Sequence, residues 1–196
     1  TLDHISGGRW GANIVTGHIP REAAMFGMVR PDHSSRYEMA DVFTTRMEQL
    51  WAATENLSVE GPYWSMTEAF VTPKPLFGRP LLVNATGSPE GIAFAAKHSD
   101  IVFITSPTGN QMSHAVKGLP AHTAKIRKAA KEAGRSVRTI INPMVVCRPT
   151  EKEAIEYRDA ILDAADVGAV EGFATISNGG DAVAWRNMVR EHRALG

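Results

Sequence analysis

Short apolar runs alternate with longer segments of helical periodicity along this chain. The runs are rich in aliphatic and β-branched residues, which is typical of buried strands. We predict strands at 9–16, 81–85, 101–104 and 139–147, and a hairpin near 63–71. The other segments place apolar side chains three or four residues apart, as amphipathic helices do. We predict helices at 1–5, 21–28, 36–51, 89–97, 119–133, 151–165 and 181–195.

Two of these helix starts carry capping signals. Ser88 is followed by Pro89 and Glu90, which matches an N-cap, a first-turn proline and a first-turn acid. Thr150 and Glu153 have the spacing of a capping box. The two patterns therefore predict where these two helices begin.

The alternation of strand and helix predicts an α/β fold with a parallel sheet covered by helices. Two architectures fit it. One is half of a (β/α)8 barrel, which takes about 250 residues in full, and the other is a small open, doubly wound sheet. In both, functional side chains follow the carboxyl ends of strands. The polar residues at those places are Asn13, Thr16, Ser88, Thr105 and Ser106.

Composition and charge exclude several classes of protein. The 196 residues hold 21 Lys and Arg against 21 Asp and Glu, and 43% are hydrophobic. A disordered chain has lower hydrophobicity and a higher net charge. Zero net charge argues against nucleic acid as the main partner, because binding to phosphates needs an excess of basic residues. No apolar run approaches the roughly 20 residues of a membrane span, so we expect no membrane insertion.

The start of the chain and its single cysteine bear on its context. Residues 1–5 resemble the last turn of a helix, ended by Gly7 and Gly8. We therefore expect the chain to be a piece of a longer protein. Cys147 has no second cysteine to pair with, which favours a reducing compartment and a cytoplasmic location. We expect Cys147 to be a small core residue on the fourth strand.

Three places carry candidate chemistry, and each has a structural alternative. Ser88 lies between a strand and a helix N-terminus, where free N–H groups and a hydroxyl bind an anion; alternatively it is a plain N-cap. Arg36 and Tyr37 both donate to a phosphate, or they are a surface arginine and a half-buried tyrosine. Asn13, inside an apolar strand, must hydrogen-bond either to backbone or to a ligand.

Several common catalytic and metal motifs do not occur in the sequence. The histidines lack metal-ligand spacing and there is no HExxH, so no metal is expected. The GxSxG, GxxxxGK[ST] and strand-linked GxGxxG patterns are also missing. No residue is assigned a catalytic role.

A series of segments, in order, resembles the bacterial luciferase-like flavin monooxygenase family. The likeness is to the branch with pyrimidine, dimethyl sulfone, alkanesulfonate and nitrilotriacetate monooxygenases, and it extends over about residues 1–165. The segments are TLDHISGGR at 1–9, NIVTG at 13–17, DHSSRYE at 32–38, KP at 74–75, NATGSPEG at 84–91 and AAKHSD at 95–100.

The resemblance implies a (β/α)8 TIM barrel, of which residues 1–196 form about the second half, strands four to seven. The N-terminal strands and the last strand are expected to be absent from this chain. The resemblance also implies reduced FMN, supplied by a separate NAD(P)H-dependent flavin reductase, with O2 activated at the flavin and one oxygen atom inserted into a small organic substrate. A homo-oligomer is expected, because relatives commonly form dimers or tetramers.

The same resemblance assigns five residues to flavin binding. Asn13 matches a flavin-contacting asparagine after strand four, and Glu22 matches an acidic flavin-site position of the pyrimidine branch. Arg36 and Tyr37 match the pair at the flavin phosphate. Ser88 matches the phosphate serine after strand five.

Two segments leave the substrate open. His18-Ile19 replaces the aromatic–polar pair expected in the pyrimidine branch, and Met25-Phe26-Gly27 resembles the nitrilotriacetate and desulfurisation branch. Three other hypotheses also fit the resemblance. The chain is then a non-catalytic flavin-binding relative, a deazaflavin-dependent relative, or an inactive half-barrel that binds no flavin.

Overall fold

A computed structural model of the chain describes residues 1–17, 19–104, 112–142 and 145–164. The helices in this part of the chain are α1 (Leu2–Ile5), α2 (Pro20–Met25), α3 (His33–Ala52), α4 (Pro89–His98), α5 (Met112–Glu132) and α6 (Glu151–Asp163). The strands are β1 (Gly11–Asn13), β2 (Leu57–Val59), β3 (Met66–Ala69), β4 (Leu81–Ala85), β5 (Ile101–Phe103) and β6 (Arg138–Ile140).

The chain divides into two compact units. One comprises Thr1–Thr16 and Pro31–Asn142, and the other comprises Gly17–Arg30 and Pro143–Gly196. The first unit holds every strand named above together with α1, α3, α4 and α5. The second unit holds α2 and α6.

Four strands of the first unit form a parallel sheet in chain order. The strand order is β1, β4, β5, β6, and β2 pairs with β3 in a separate antiparallel hairpin. In the parallel sheet Asn13 stands opposite Val83, Val83 opposite Ile101, and Ile101 opposite Arg138. This arrangement confirms the predicted α/β class with a parallel sheet.

The two faces of the sheet differ in what covers them. Leu82 and Val102 point to one face and are fully buried, and Val102 belongs to the apolar core built with α4 and α5. On the opposite face Leu81 is 46% exposed and Ile140 is 43% exposed. Side chains alternate between the two faces of a strand, so the sheet has one buried face and one apolar face that remains accessible.

Helix α3 does not bury the apolar face that its periodicity predicts. Thr44 is its only fully buried residue, and Phe43 is 52% exposed. Polar contacts hold α3 against α4 instead. The Nε2 atom of His98 lies 2.8 Å from Oδ1 of Asp41, and its Nδ1 atom lies 3.1 Å from Oε2 of Glu48. The prediction was wrong because charged side chains, which the apolar spacing ignores, make the helix–helix contact.

A second set of charged contacts centres on Asp100, just before β5. Its two carboxylate oxygens accept from Arg79 at 2.6 and 3.0 Å, and one of them also accepts from Arg135 at 3.0 Å. The amide N–H of Leu82 donates to the same carboxylate at 2.9 Å. Arg79 continues to Glu48 of α3, with Nε 2.8 Å from Oε1. This Asp100 cluster therefore ties α3 and the loop before β6 to the starts of β4 and β5.

The capping signals and the central apolar runs correctly predicted two helix starts and two strands. Strands β4 and β5 lie within the predicted runs. Thr150 and Glu153 form the predicted capping box, with the Glu153 amide donating to Thr150 Oγ1 at 3.3 Å and the Thr150 amide donating to Glu153 Oε2 at 3.0 Å. Both signals depend on residues close together in sequence.

Other predicted boundaries were wrong. The hairpin pairs 57–59 with 66–69 rather than lying at 63–71. Helix α5 begins at Met112 rather than at 119, and it runs through Pro120. Strand β6 ends at Ile140, so Cys147 is not on a strand and is exposed rather than in the core. The predicted helix at 181–195, and the strand-end candidates Thr105 and Ser106, lie outside the described residues.

No described helix combines the length and the apolar character needed to cross a lipid bilayer.

We expect Asp100→Asn to lower the free energy of unfolding by about 2 kcal/mol, because hydrogen bonds to charged groups contribute about 1.5–3 kcal/mol. Glu132→Gln is a matched control, since it removes an exposed pair with Lys128 that is expected to contribute only about 0.3–0.5 kcal/mol. Urea unfolding followed by circular dichroism measures both losses. Similar small losses in the two variants would contradict a structural role for the Asp100 cluster.

Stability should also fall in acid. Burial raises the pKa of Asp100 and Asp41, but hydrogen bonds from Arg79 to Asp100 and from Lys97 and His98 to Asp41 outweigh it, and both pKa values lie below the ordinary 3.8. The unfolded chain therefore takes up these protons first as the pH falls. The stabilisation is present above pH 3.8 and is lost progressively below it. Urea unfolding at several pH values should show this fall, and a shallower one in Asp100→Asn.

Candidate functional site

Helices α3 and α4 begin side by side. His33, the first residue of α3, places Nε2 3.1 Å from Oγ of Ser88, the N-cap of α4. Near the end of α4, Lys97 lies 2.7 Å from Asp41 of α3. The two helices therefore run in the same direction with their N-termini at one end. Free backbone N–H groups and the positive ends of two helix dipoles converge there.

The turn after β4 adds two hydroxyl groups at this end. Ser88 Oγ accepts the amide N–H of Gly91 at 3.1 Å, which confirms its predicted capping role. Thr86 is only 7% exposed, and its buried hydroxyl has no hydrogen-bond partner among the described residues. A buried hydroxyl left without a partner is unfavourable, which points to a ligand or a water as its partner.

Gly91 allows a third hydroxyl to approach the first turn of α4. A Cβ atom on Gly91 would overlap the hydroxyl of Thr86 and lie 2.7 Å from the phenolic oxygen of Tyr37. The Tyr37 ring packs between His33 and Phe94, at centroid distances of 5.1 and 6.0 Å. Two hydroxyls therefore lie against a helix turn that has no side chain to exclude them.

Arg36 brings a positive charge to the same helix start. Its Nη1 atom donates to the carbonyl of Pro31 at 2.9 Å, and its Nη2 atom lies 3.4 Å from Nδ1 of His33. The Nε atom is buried and has no partner in the part of the chain described. Arginine only donates, so this contact is a hydrogen bond only when Nδ1 of His33 carries no proton. His33 lies between Arg36 and Ser88.

Two carboxylates lie close to these donors. Glu90, in the first turn of α4, places Oε2 3.4 Å from Nε2 of His33. Asp32 is the N-cap of α3 and accepts from the amide and the hydroxyl of Ser35, at 3.0 and 2.6 Å. The hydrogen bond from the Ser35 hydroxyl, followed by that from its amide, lowers the pKa of Asp32. Asp32 therefore stays ionised, and its carboxylate is hydrogen-bonded within its own helix. The carboxylate of Glu90 instead lies beside His33.

We call the group of Arg36, Tyr37, Thr86, Ser88 and Gly91 the anion seat. It combines a guanidinium, three hydroxyls and the first turns of two helices, which together suit a phosphate group. The described residues contain no group of three or more histidine, cysteine or carboxylate side chains placed to hold a metal.

Three of the five predicted flavin residues come together and two do not. Arg36, Tyr37 and Ser88 lie in the anion seat, although Arg36 reaches Ser88 only through His33. Asn13 ends β1, opposite Val83, and is exposed rather than buried, because its side chain lies on the accessible face of the sheet. Glu22 is an exposed residue in the first turn of α2 and belongs to the second unit.

The sequence analysis missed three polar residues around the site. Asn84 is 1% exposed; its Nδ2 atom donates to the carbonyl of Ile14 at 2.7 Å, and its Oδ1 atom is buried without a partner in the described chain. Asn84 lies two residues after Leu82 and therefore on the same face of the strand. This alternation could have predicted its burial. Thr86 follows strand β4, and His33 begins helix α3. Both lie close in sequence to residues that were assigned to the flavin, so their positions were a second signal.

The comparison with protein families places nearly the whole chain in one of them. The sequence model of the luciferase-like monooxygenase family matches residues 1–194. Pyrimidine monooxygenase RutA of Allorhizobium ampelinum is 32% identical over 174 residues, which is 87% of this chain and 46% of that protein. The FMNH2-dependent dimethylsulfone monooxygenase of Pseudomonas fluorescens is 31% identical over 173 residues, which is 88% of this chain and 45% of that protein. The chain thus spans about half the length of these relatives.

A solved structure has the same fold over most of the described chain. Riboflavin lyase RcaE, crystallised with modified FMN and substrate riboflavin, aligns with a TM-score of 0.81 and 25% identity. The alignment covers 92% of this chain and 44% of the lyase.

Gly91→Ala should destabilise the chain, although alanine is the better helix former by about 1 kcal/mol. The new methyl group must displace the Thr86 and Tyr37 hydroxyls, and such overpacking costs about 1–3 kcal/mol. Gly87→Ala is the matched control, because a Cβ there meets nothing within 4 Å. Urea unfolding of both variants measures the difference. If Gly91→Ala were as stable as Gly87→Ala, the close approach of the two hydroxyls would be wrong.

Proposed function

Because the chain belongs to the luciferase-like monooxygenase family, we propose that the anion seat binds the phosphate of reduced FMN. The observation that carries this proposal is the convergence of two helix N-termini beside the Thr86 hydroxyl, which lacks a partner among the described residues. Arg36 Nε is also buried and unpartnered in that part of the chain, and both atoms are donors that suit an acceptor oxygen. Ser88 has a hydroxyl proton to donate as well, since its oxygen accepts from Gly91.

The seat fits a phosphate dianion in charge and in shape. Arg36 supplies a cation, and charge-assisted hydrogen bonds to phosphate are about twice as strong as neutral ones. Gly91 lets the hydroxyls of Thr86 and Tyr37 lie against the first turn of α4. The hydroxyls of Tyr37 and Ser88 then fix the orientation of the phosphate.

Asn13 adds to the anion seat within the first unit, and Glu22 is a separate proposal. Asn13 is exposed at the carboxyl end of β1, the same end of the parallel sheet at which Ser88 follows β4. Its amide is therefore available to a polar edge of the isoalloxazine ring. Glu22 rests on the family resemblance, as an acidic residue at a flavin-site position.

We propose further that residues 1–196 form a single partial domain, with the described sheet as strands four to seven of a (β/α)8 barrel. The strand order follows the chain without the reversal of a doubly wound sheet. The half-exposed apolar face, which carries Leu81 and Ile140, suits the inside of a barrel. Parallel sheets are normally covered on both faces, so the other strands of the barrel are the expected cover.

The proposed activity is that of an FMNH2- and O2-dependent monooxygenase acting on a small organic substrate. Reduced FMN, when bound, supplies O2 activation and the transfer of one oxygen atom. The chain's own residues bind the phosphate, orient the ring and help to exclude water from it. A separate NAD(P)H-dependent flavin reductase, a homo-oligomeric assembly and a cytoplasmic location belong to the same proposal.

A fluorescence titration of the purified chain with FMN and with riboflavin tests the proposal, because the two ligands differ only in the phosphate. We expect FMN to bind at least about 30-fold more tightly, or about 2 kcal/mol. Ser88→Gly should remove much of this preference while largely keeping the helix cap, since glycine replaces serine at an N-cap at a cost of only a few tenths of a kcal/mol. Riboflavin affinity should not change in this variant.

Other outcomes select other hypotheses. No binding of either flavin would overturn the phosphate assignment and favour an inactive half-barrel. Equal affinity for FMN and riboflavin would overturn the phosphate assignment and leave a likeness of fold and ancestry only. Preference for a deazaflavin over FMN would indicate the deazaflavin-dependent relative. Reductase-coupled turnover that yields only hydrogen peroxide across a panel of small organic substrates would favour a flavin-binding relative without oxygenase activity.

A further inference from the structure

One carboxylate stands among the donors of the anion seat. Glu90 follows Pro89 at the start of α4, and its Oε2 atom lies 3.4 Å from Nε2 of His33. The same nitrogen lies 3.1 Å from Oγ of Ser88. One imidazole nitrogen therefore lies close to both the carboxylate and the hydroxyl that we assign to the phosphate.

Glu90 and Ser88 lie on the same side of the His33 ring, next to Nε2. Arg36 lies on the other side, with Nη2 3.4 Å from Nδ1. A phosphate oxygen that accepts from the Ser88 hydroxyl would lie beside Nε2 of His33. It would also approach the negative charge of Glu90, and two anions at such a distance repel each other.

We propose that Glu90 is an internal competitor for the phosphate. Its carboxylate holds His33 when the seat has no ligand, and it must release the imidazole before a phosphate ester can bind. Glu90 thereby weakens the binding of dianionic ligands and leaves the binding of an uncharged flavin unaffected. This inference rests on the proposed function, because it requires the seat to be a phosphate site.

The proposal bears on how fast flavin leaves the anion seat. A protein that receives reduced flavin from a separate reductase must also release the oxidised form after each turnover. A very strong phosphate site would slow that release, whereas an internal carboxylate that displaces the phosphate accelerates it. Glu90 is then a specificity-determining residue for the exchange of flavin rather than a catalytic one.

A structural role for Glu90 makes a different prediction. An acid in the first turn of a helix interacts favourably with the helix dipole, and that effect changes stability but not the preference for one flavin over another. Glu151 is a first-turn acid of α6 and provides a matched control. Glu90→Gln and Glu151→Gln remove the same charge from equivalent turns, and only the first lies beside the seat.

The test is a fluorescence titration of the wild-type chain and both variants with FMN and riboflavin. We expect Glu90→Gln to bind FMN about tenfold more tightly, the scale of repulsion between one carboxylate and a nearby dianion in a partly solvated site. Its riboflavin affinity should equal that of the wild type, and Glu151→Gln should match the wild type for both ligands. Circular dichroism and thermal unfolding confirm that each variant is folded.

The outcomes separate this inference from the proposed function. A wild-type preference for FMN over riboflavin that Glu90→Gln does not increase would overturn the inference and leave the phosphate seat intact. Equal tightening of FMN and riboflavin in Glu90→Gln would also overturn it, because the phosphate would not be involved. A wild-type chain with no preference for FMN would overturn the proposed function, and the inference would fail with it.

Discussion

The position of α3 against α4 depends on charged contacts more than on apolar packing. His98 is almost fully buried and meets carboxylates on both ring nitrogens, Asp41 on one side and Glu48 on the other. An ionised carboxylate accepts hydrogen bonds, so each of the two suits an N–H group of the ring. Glu48 extends the contacts to Arg79 and so to Asp100. A partly buried set of charges of this kind favours one arrangement of the two helices, because removing one partner leaves another charge unpaired.

The alignment of the two helices has a consequence about two turns away. Once Asp41 is fixed against the end of α4, the rise of the helix determines where α3 begins. His33 and Arg36 then meet Ser88 at the start of α4, and the two helix N-termini converge. The anion seat is thus a product of helix register, while its hydroxyls come from the turn after β4. Glu90 belongs to the same turn of helix, so a donor group and its competitor arise from one local segment.

Local signals predicted the parts of this structure that depend on neighbouring residues. The cap at Ser88 and the capping box at Thr150 need only residues within one turn, and the apolar run of β4 is buried wherever the sheet forms. Asn13 was misjudged because its exposure depends on what covers the sheet face that it shares with Val83. Asn84 was missed because its partner is the carbonyl of Ile14, 70 residues away in sequence. The prediction that α3 buries an apolar face was wrong for a similar reason, since the charged partners of α3 lie on another helix.

A crystal structure of the chain with bound FMN tests the central claim most directly, because it locates the phosphate. The account predicts phosphate oxygens within hydrogen-bond distance of the hydroxyls of Ser88 and Tyr37, with the Thr86 hydroxyl no longer without a partner. The carboxylate of Glu90 should have moved away from His33. A phosphate bound elsewhere on the chain, with these hydroxyls and the Glu90–His33 contact unchanged, would contradict the account.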